Sequence, residues 1–73
     1  MTKLPVISGR QCARALRKVG FLEDHQTGGH IILRRENPTT TISVPNHSEL
    51  RKGTLRAIIR QAALTVEEFV DLL

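Results

Sequence analysis

The feature that most constrains the fold of this chain is the alternation of apolar and polar residues in its middle third. Successive side chains of a β-strand point to opposite faces of the sheet. Along residues 30–35, Ile31 and Leu33 can therefore enter a core. His30 and Arg34 then share the opposite face. This pattern requires a sheet that is buried on one side.

Turn residues flank this strand on both sides. Thr27-Gly28-Gly29 before it is typical of a tight hairpin turn with glycines at positive φ, and residues 21–26 then form the preceding strand. Asn37-Pro38-Thr39 predicts a second turn, followed by a strand at residues 41–44 that Pro45 ends. The sequence therefore predicts a three-stranded antiparallel meander.

Two capping boxes predict where helices begin. Ser8 and Gln11 can exchange side-chain and backbone hydrogen bonds at the start of one helix, and Thr65 and Glu68 can do so for another. The first helix should end at Gly20 in a left-handed cap. Its buried face follows the i, i+3, i+4, i+7 spacing and consists of Cys12, Ala15, Leu16 and Val19.

A further helix is predicted between the last strand and the second capping box. It follows a polar loop at residues 46–53, and its buried face is Leu55, Ile58, Ile59 and Ala62. A short last helix then packs Phe69 and Leu72. The order is α-β-β-β-α with a short C-terminal helix, and the helices lie on one face of the sheet. We therefore expect a single α+β domain over residues 1–73.

The charge of the chain is positive and unevenly spread. Its 73 residues carry a net charge of +4, and all eleven Lys and Arg lie within residues 1–60. Residues 61–73 carry only the acidic side chains of Glu67, Glu68 and Asp71. A basic surface of this kind attracts polyanions, which are nucleic acids or acidic proteins.

Cysteine usage and the N-terminal sequence indicate the compartment. Cys12 is the only cysteine, so it has no partner for a disulfide. The sequence has no apolar N-terminal run of the kind found in a signal peptide or a spanning helix. We expect a cytoplasmic protein that does not contact membranes. Cys12 and the three histidines His25, His30 and His47 do not have the spacing of metal ligands, so neither a metal nor another cofactor is expected.

Several short motifs, taken in order along nearly the whole chain, resemble one protein family. They are Leu4-Pro5-Val6-Ile7-Ser8-Gly9, Gly28-Gly29-His30, Val44-Pro45 with His47, Lys52-Gly53-Thr54-Leu55 running to Gln61-Ala62, and Glu68-Phe69. Together they resemble the HicA toxins of type II toxin–antitoxin pairs. The resemblance implies a fold like the double-stranded RNA-binding domain, the activity of an mRNA interferase, and a HicB antitoxin as the protein partner.

The resemblance also implies that His30 is the catalytic residue, because the family's catalytic histidine follows a Gly-Gly or Gly-Ser pair at the start of the second strand. Two positions depart from the family pattern. Ile31 stands where a second histidine often follows, and it should point to the opposite face. Ala63 lies in the stretch where a glycine is common, which bears on helix termination and not on chemistry.

A histidine suits the cleavage of RNA without a metal. The RNA 2′-hydroxyl is an internal nucleophile whose attack needs proton transfer and charge stabilisation, and histidine exchanges protons near neutral pH. We predict that His30 is the general base or acid and that the products are a 2′,3′-cyclic phosphate and a 5′-hydroxyl. Arg34 could stabilise charge from the same strand face. Gly28 and Gly29 would let the RNA backbone approach closely.

Further RNA contacts are predicted at the start and outer face of the second helix. Lys52, Arg56 and Arg60 lie where double-stranded-RNA-binding folds contact phosphates, although a solvated helix face would carry the same charges. His47 is a candidate for a second acid or base, or a residue that only hydrogen-bonds within its loop. His25 is predicted to be a surface residue.

Three other functions fit parts of the pattern. A non-catalytic double-stranded-RNA-binding module would use the same helix face and leave RNA intact. A helix-turn-helix over residues 54–73 would read DNA, but its second helix would bring Glu67, Glu68 and Asp71 toward phosphates, so direct DNA binding is not expected. An interaction protein would offer its basic surface to an acidic partner, and the implied antitoxin would inhibit by covering that surface.

Overall fold

The computed structural model describes residues 3–73. Within them the order of elements is α1, β1, β2, β3, α2, α3. The helices are α1 (Gly9–Arg17), α2 (Lys52–Gln61) and α3 (Val66–Val70), and the strands are β1 (Leu22–Thr27), β2 (His30–Arg35) and β3 (Thr40–Pro45). The predicted α+β fold, similar to that of a double-stranded RNA-binding domain, is confirmed.

The three strands form one antiparallel meander in the order β1-β2-β3. Ile31 pairs with Val44, Leu33 pairs with Ile42, and all four side chains are fully buried. β1 is an edge strand, and all six of its residues are exposed. The sheet therefore has one core face and one open face, as the alternation in β2 predicts.

The two longer helices pack on the core face of the sheet. α1 contacts all three strands, and α2 contacts β3 and α3. The largest fully buried side chains are Phe21, Phe69, Leu16, Ile31, Leu33, Ile42 and Leu55. Each buried side chain of this size stabilises the fold by about 1.5–3 kcal/mol relative to exposure. The core is therefore aliphatic around two phenylalanines.

Helix α1 begins as predicted. The Ser8 hydroxyl accepts a hydrogen bond from the Gln11 backbone N–H at 3.0 Å, and the Gln11 side-chain oxygen accepts one from the Ser8 N–H at 2.9 Å. The helix ends at Arg17, so Val19 lies in the following turn and is only partly buried. Gly20 has a φ of 98°, which confirms the left-handed glycine at the entry to β1.

The β1–β2 hairpin is confirmed, but the expectation of positive φ at its glycines is wrong. Thr27 pairs with His30, so Gly28 and Gly29 form a two-residue turn. Neither glycine lies in the left-handed region. A Cβ on either would meet no atom within 4 Å. Backbone conformation and internal packing therefore do not require glycine at these two positions.

The C-terminal part also follows the predicted pattern. Leu55, Ile58, Ile59 and Ala62 are buried, and α2 begins at Lys52, inside the predicted loop. The Thr65 hydroxyl accepts a hydrogen bond from the Glu68 N–H at 3.1 Å, which caps α3, and Phe69 is fully buried. Within residues 3–73, none of the helices combines the length and the apolar character that crossing a membrane requires.

Candidate active site

His30 is the first residue of β2 and lies on the open face of the sheet. It is exposed, and it pairs with Thr27 on one side and Pro45 on the other. Because its neighbour Ile31 points into the core, the His30 side chain projects away from the helices. The imidazole is therefore open to a substrate that approaches from solvent.

Backbone hydrogen bonds hold a second histidine, His47, at the same end of the sheet. The Asn46 N–H donates to the Gly29 carbonyl at 2.9 Å, and the Gly9 N–H donates to the His47 carbonyl at 2.9 Å. The β1–β2 turn, the end of β3 and the start of α1 thus meet in one place, which we call the hairpin end. His30 and His47 therefore both lie at the hairpin end, and both are exposed.

Gly9 lies against the end of β3 at the hairpin end, a contact that its place in the first family motif did not predict. A Cβ on Gly9 would overlap the carbonyl oxygen of Pro45 and lie 3.2 Å from the Asn46 Cα. Helix α1 can therefore approach the end of β3 this closely only with glycine at its first position. The available sequence signal was a glycine inside a well-capped helix, where it costs about 0.5–1 kcal/mol relative to alanine.

Arg34 shares the open face with His30 but lies at the other end of β2. The two residues are four positions apart, about 13 Å along a strand. The Arg34 Nε donates to a Glu36 carboxylate oxygen at 3.0 Å, and the Thr39 hydroxyl donates to the other oxygen at 2.6 Å. The Thr39 hydrogen bond and the Arg34 charge hold the pKa of Glu36 below its usual value. The structure therefore does not bring Arg34 to His30.

Lys52, Arg56 and Arg60 form a stripe along α2, which we call the basic stripe. All three are exposed, and their spacing of four residues keeps them on one side of the helix. Within residues 3–73, no ion pair involves any of them. Arg56 and Arg60 border a groove of about 300 Å³ between α2 and α3. The basic stripe is therefore available to an anionic partner.

A third histidine, His25, is exposed as predicted, and it lies on the same open face as His30. His25 pairs with Ile32 across the hairpin, which puts it on the open face as a diagonal neighbour of His30. Diagonal neighbours of this kind are about 7–8 Å apart. The sequence contained the necessary signal, because a two-residue turn at Gly28-Gly29 fixes which residues pair.

Asp24 orients the imidazole of His25. The His25 Nδ1 lies 2.7 Å from an Asp24 carboxylate oxygen, so its N–H donates to that oxygen and Nε2 is left for another partner. The pairing of β1 with β2 is irregular between Glu23 and His25, a β-bulge that leaves Asp24 unpaired. Bulges re-aim side chains and are frequent beside active sites.

Cys12 belongs to the core, as expected. It is fully buried, and burial raises the pKa of its thiol to about 12. The thiol therefore stays protonated and is not a nucleophile at neutral pH. Across residues 3–73, no group of three His, Cys, Asp or Glu side chains is arranged to hold a metal ion.

These features define a class of protein: a small basic α+β domain with a fold like the double-stranded RNA-binding domain and with exposed imidazoles at one end of its sheet. The profile of the family described as "HicA toxin of bacterial toxin-antitoxin" matches residues 9–64. Because the match covers well over half of the chain, the chain belongs to the HicA toxin family. No individual curated protein matches the chain.

Family membership defines the function at a coarse level. The chain is the toxin of a toxin–antitoxin pair, and its family is one of ribonuclease-type toxins. The resemblance read from the sequence motifs is thereby confirmed. The hairpin end and the basic stripe lie within the matched residues, whereas α3 lies outside them. The roles of individual residues stay predictions.

Proposed function

We propose that the chain is an mRNA interferase that binds RNA through its basic surface and cleaves it without a metal, using His30 and the RNA 2′-hydroxyl. The observation that carries this proposal is the placement of His30, which is exposed on the open face directly after a turn without side chains. Because a Cβ on Gly28 or Gly29 would meet no atom within 4 Å, that turn leaves room for a sugar-phosphate backbone.

Cleavage needs one proton to leave the 2′-oxygen and one to reach the 5′-oxygen. His30 serves one of these steps as general base or general acid, a role that typically accelerates a reaction by about 10²–10⁴-fold. The O2′–P bond forms, the P–O5′ bond breaks, and the products are a 2′,3′-cyclic phosphate and a 5′-hydroxyl. His47, held at the hairpin end, is a candidate for the second proton transfer.

The basic stripe of Lys52, Arg56 and Arg60 supplies the proposed phosphate contacts. Its three charges have no acidic partner within residues 3–73, so binding RNA breaks no existing ion pair there. Arg34 binds Glu36 through Nε, and its two terminal nitrogens would contact RNA at the other end of β2. We further propose a HicB-type antitoxin as the protein partner and the cytoplasm, where mRNA is translated, as the site of action.

The proposal is tested by cleavage of a mixed RNA with the purified chain in excess EDTA, beside His30→Ala and Thr41→Ala. Thr41 is exposed on the same open face and pairs with Arg34 at the other end of the sheet, so it provides a matched control. We expect wild type and Thr41→Ala to produce cyclic phosphate ends. We expect His30→Ala to cleave RNA at a rate at least about 10²-fold below that of wild type. Circular dichroism checks that all three are folded.

Other outcomes would overturn specific parts of the proposal. If His30→Ala cleaved RNA at the wild-type rate, His30 would take no part in the chemistry. Cleavage that requires added Mg²⁺ would contradict the metal-independent mechanism. RNA binding by all three proteins without cleavage would favour the non-catalytic double-stranded-RNA-binding module.

A further inference from the structure

We propose that His25, oriented by Asp24, is the general acid that protonates the leaving 5′-oxygen, while His30 is the general base that takes the proton of the 2′-hydroxyl. This assignment rests on the proposed function, because it concerns the same cleavage reaction. It adds a second catalytic residue on β1 and a positioning residue beside it.

The reaction itself requires two proton-transfer groups. The attacking 2′-oxygen and the leaving 5′-oxygen lie roughly in line on opposite sides of the phosphorus, so one imidazole cannot contact both at once. A proton-transfer group must come within about 2.6–3.2 Å of the oxygen that it serves. Two imidazoles that flank a phosphate satisfy this requirement.

His25 and His30 have the placement that such a pair needs. They lie on the same open face as diagonal neighbours of β1 and β2, a relation that separates residues on adjacent strands by about 7–8 Å. The side chain of His25 is 56% exposed, His30 is exposed, and the residue that pairs with His25 on this face is the partly buried Ile32. A phosphate can therefore reach both rings from solvent.

Asp24 gives His25 a feature that a plain surface histidine lacks. The 2.7 Å contact lets Nδ1–H donate to the carboxylate, and Nε2 is then the ring nitrogen left for a substrate atom. An imidazole oriented by a third group is the usual arrangement of an acid–base residue. His47, by contrast, has no carboxylate partner in the ion pairs of residues 3–73, and only its backbone carbonyl is tied to Gly9.

The protons and bonds balance with these two residues. The proton of O2′ moves to His30 as the O2′–P bond forms. The P–O5′ bond breaks, and O5′ takes the proton carried by Nε2 of His25. The products are a 2′,3′-cyclic phosphate and a 5′-hydroxyl, with His30 protonated and His25 neutral. Exchange of one proton each with solvent restores both rings.

The test compares two RNA oligonucleotides with one scissile linkage, in which the bridging 5′-atom is either oxygen or sulfur. A thiolate leaves without protonation because a thiol has a pKa of about 8.5. The full chain and the variants His25→Ala, Asp24→Asn, His47→Ala and His30→Ala are assayed in EDTA. His25→Ala is suitable because every residue of β1 is exposed, so the substitution leaves the core intact.

We expect His25→Ala to cleave the oxygen substrate on the order of 10²-fold more slowly than wild type and the sulfur substrate at nearly the wild-type rate. Asp24→Asn should show the same leaving-atom dependence with a smaller loss. His30→Ala should be slow on both substrates. A merely structural role for His25 would slow both substrates equally.

The assignment is overturned if His25→Ala cleaves the oxygen substrate at the wild-type rate, or if its defect is the same on both substrates. If His47→Ala, and not His25→Ala, cleaved the oxygen substrate slowly and the sulfur substrate at nearly the wild-type rate, the acid role would belong to His47. Failure of the proposed function looks different, because the wild type would then cleave neither substrate or His30→Ala would cleave both normally. That result would remove the assignment to His25 as well.

Discussion

Ala63 occupies a backbone conformation that favours glycine. Its φ is 60°, and it lies where α2 terminates, with its N–H donating to the Arg60 carbonyl at 3.0 Å. The family pattern indicated a glycine in this stretch, so the departure in sequence coincides with a position of backbone strain. A left-handed residue with a Cβ costs roughly 1–2 kcal/mol. This cost falls on the helix end and not on the hairpin end.

Replacing Ala63 with glycine should therefore stabilise the protein. We expect the free energy of unfolding of Ala63→Gly to rise by about 0.5–1 kcal/mol, because relief of strain exceeds the added freedom of the unfolded chain. Urea denaturation followed by circular dichroism measures the change. The matched control is Ala57→Gly within α2, which should lose about 1 kcal/mol. Loss of stability in both variants would contradict the argument.

The elements themselves could be predicted from the sequence because their signals are local. Alternation in residues 30–35 placed Ile31 and Leu33 in the core, and both capping boxes formed as expected. The contacts at the hairpin end could not be predicted, because they join Gly9, Gly29 and Asn46 across distant parts of the chain. The β-bulge at Asp24 likewise depends on strand pairing and has no local signature.

At the scale of elements, the close approach of α1 to the end of β3 gives a prediction. Gly9→Ala should lose about 1–3 kcal/mol of stability, because a Cβ would overlap the Pro45 carbonyl oxygen and force the backbones apart. The displacement should also lower RNA cleavage. Gly53→Ala near the start of α2 is the matched control, since its Cβ would meet no atom within 4 Å and should stabilise the helix by about 0.5–1 kcal/mol.

Chemical denaturation and the EDTA cleavage assay measure both effects. If Gly9→Ala were as stable and as active as wild type, the fit of α1 against β3 would not be important to the site. If Gly9→Ala were less stable but its folded fraction cleaved RNA at the wild-type rate, the hairpin end would tolerate a shifted α1.

The whole molecule carries a net charge of +4, yet its C-terminal part is acidic. Helix α3 begins with Glu67 and Glu68 in its first turn, next to the groove bordered by Arg56 and Arg60. RNA bound along the basic stripe would therefore be repelled from α3. This arrangement favours contacts with α2 over contacts with α3.

Binding of RNA through the basic stripe predicts a particular dependence on salt. In a His30→Ala background, which keeps the RNA intact, Arg56→Gln with Arg60→Gln should reduce the slope of log affinity against log salt concentration by about 1.5. Arg14→Gln with Arg17→Gln removes the same charge from exposed positions on α1 and should leave the slope nearly unchanged. Fluorescence anisotropy over a range of salt concentrations measures both slopes. Equal effects in the two double variants would show that only net charge matters.

The hairpin end also has a consequence for how the protein is made. His30 leaves the ribosome before the segment of Pro45 to His47 that frames it, and that segment is held by its pairing with His30, by the Gly29 carbonyl and by the Gly9 N–H. A nascent chain therefore exposes the histidine before its surroundings exist. The proposed nuclease therefore gains the segment that frames His30 only after β3 has been synthesised and has paired with β2, so a toxin still being made lacks part of its site.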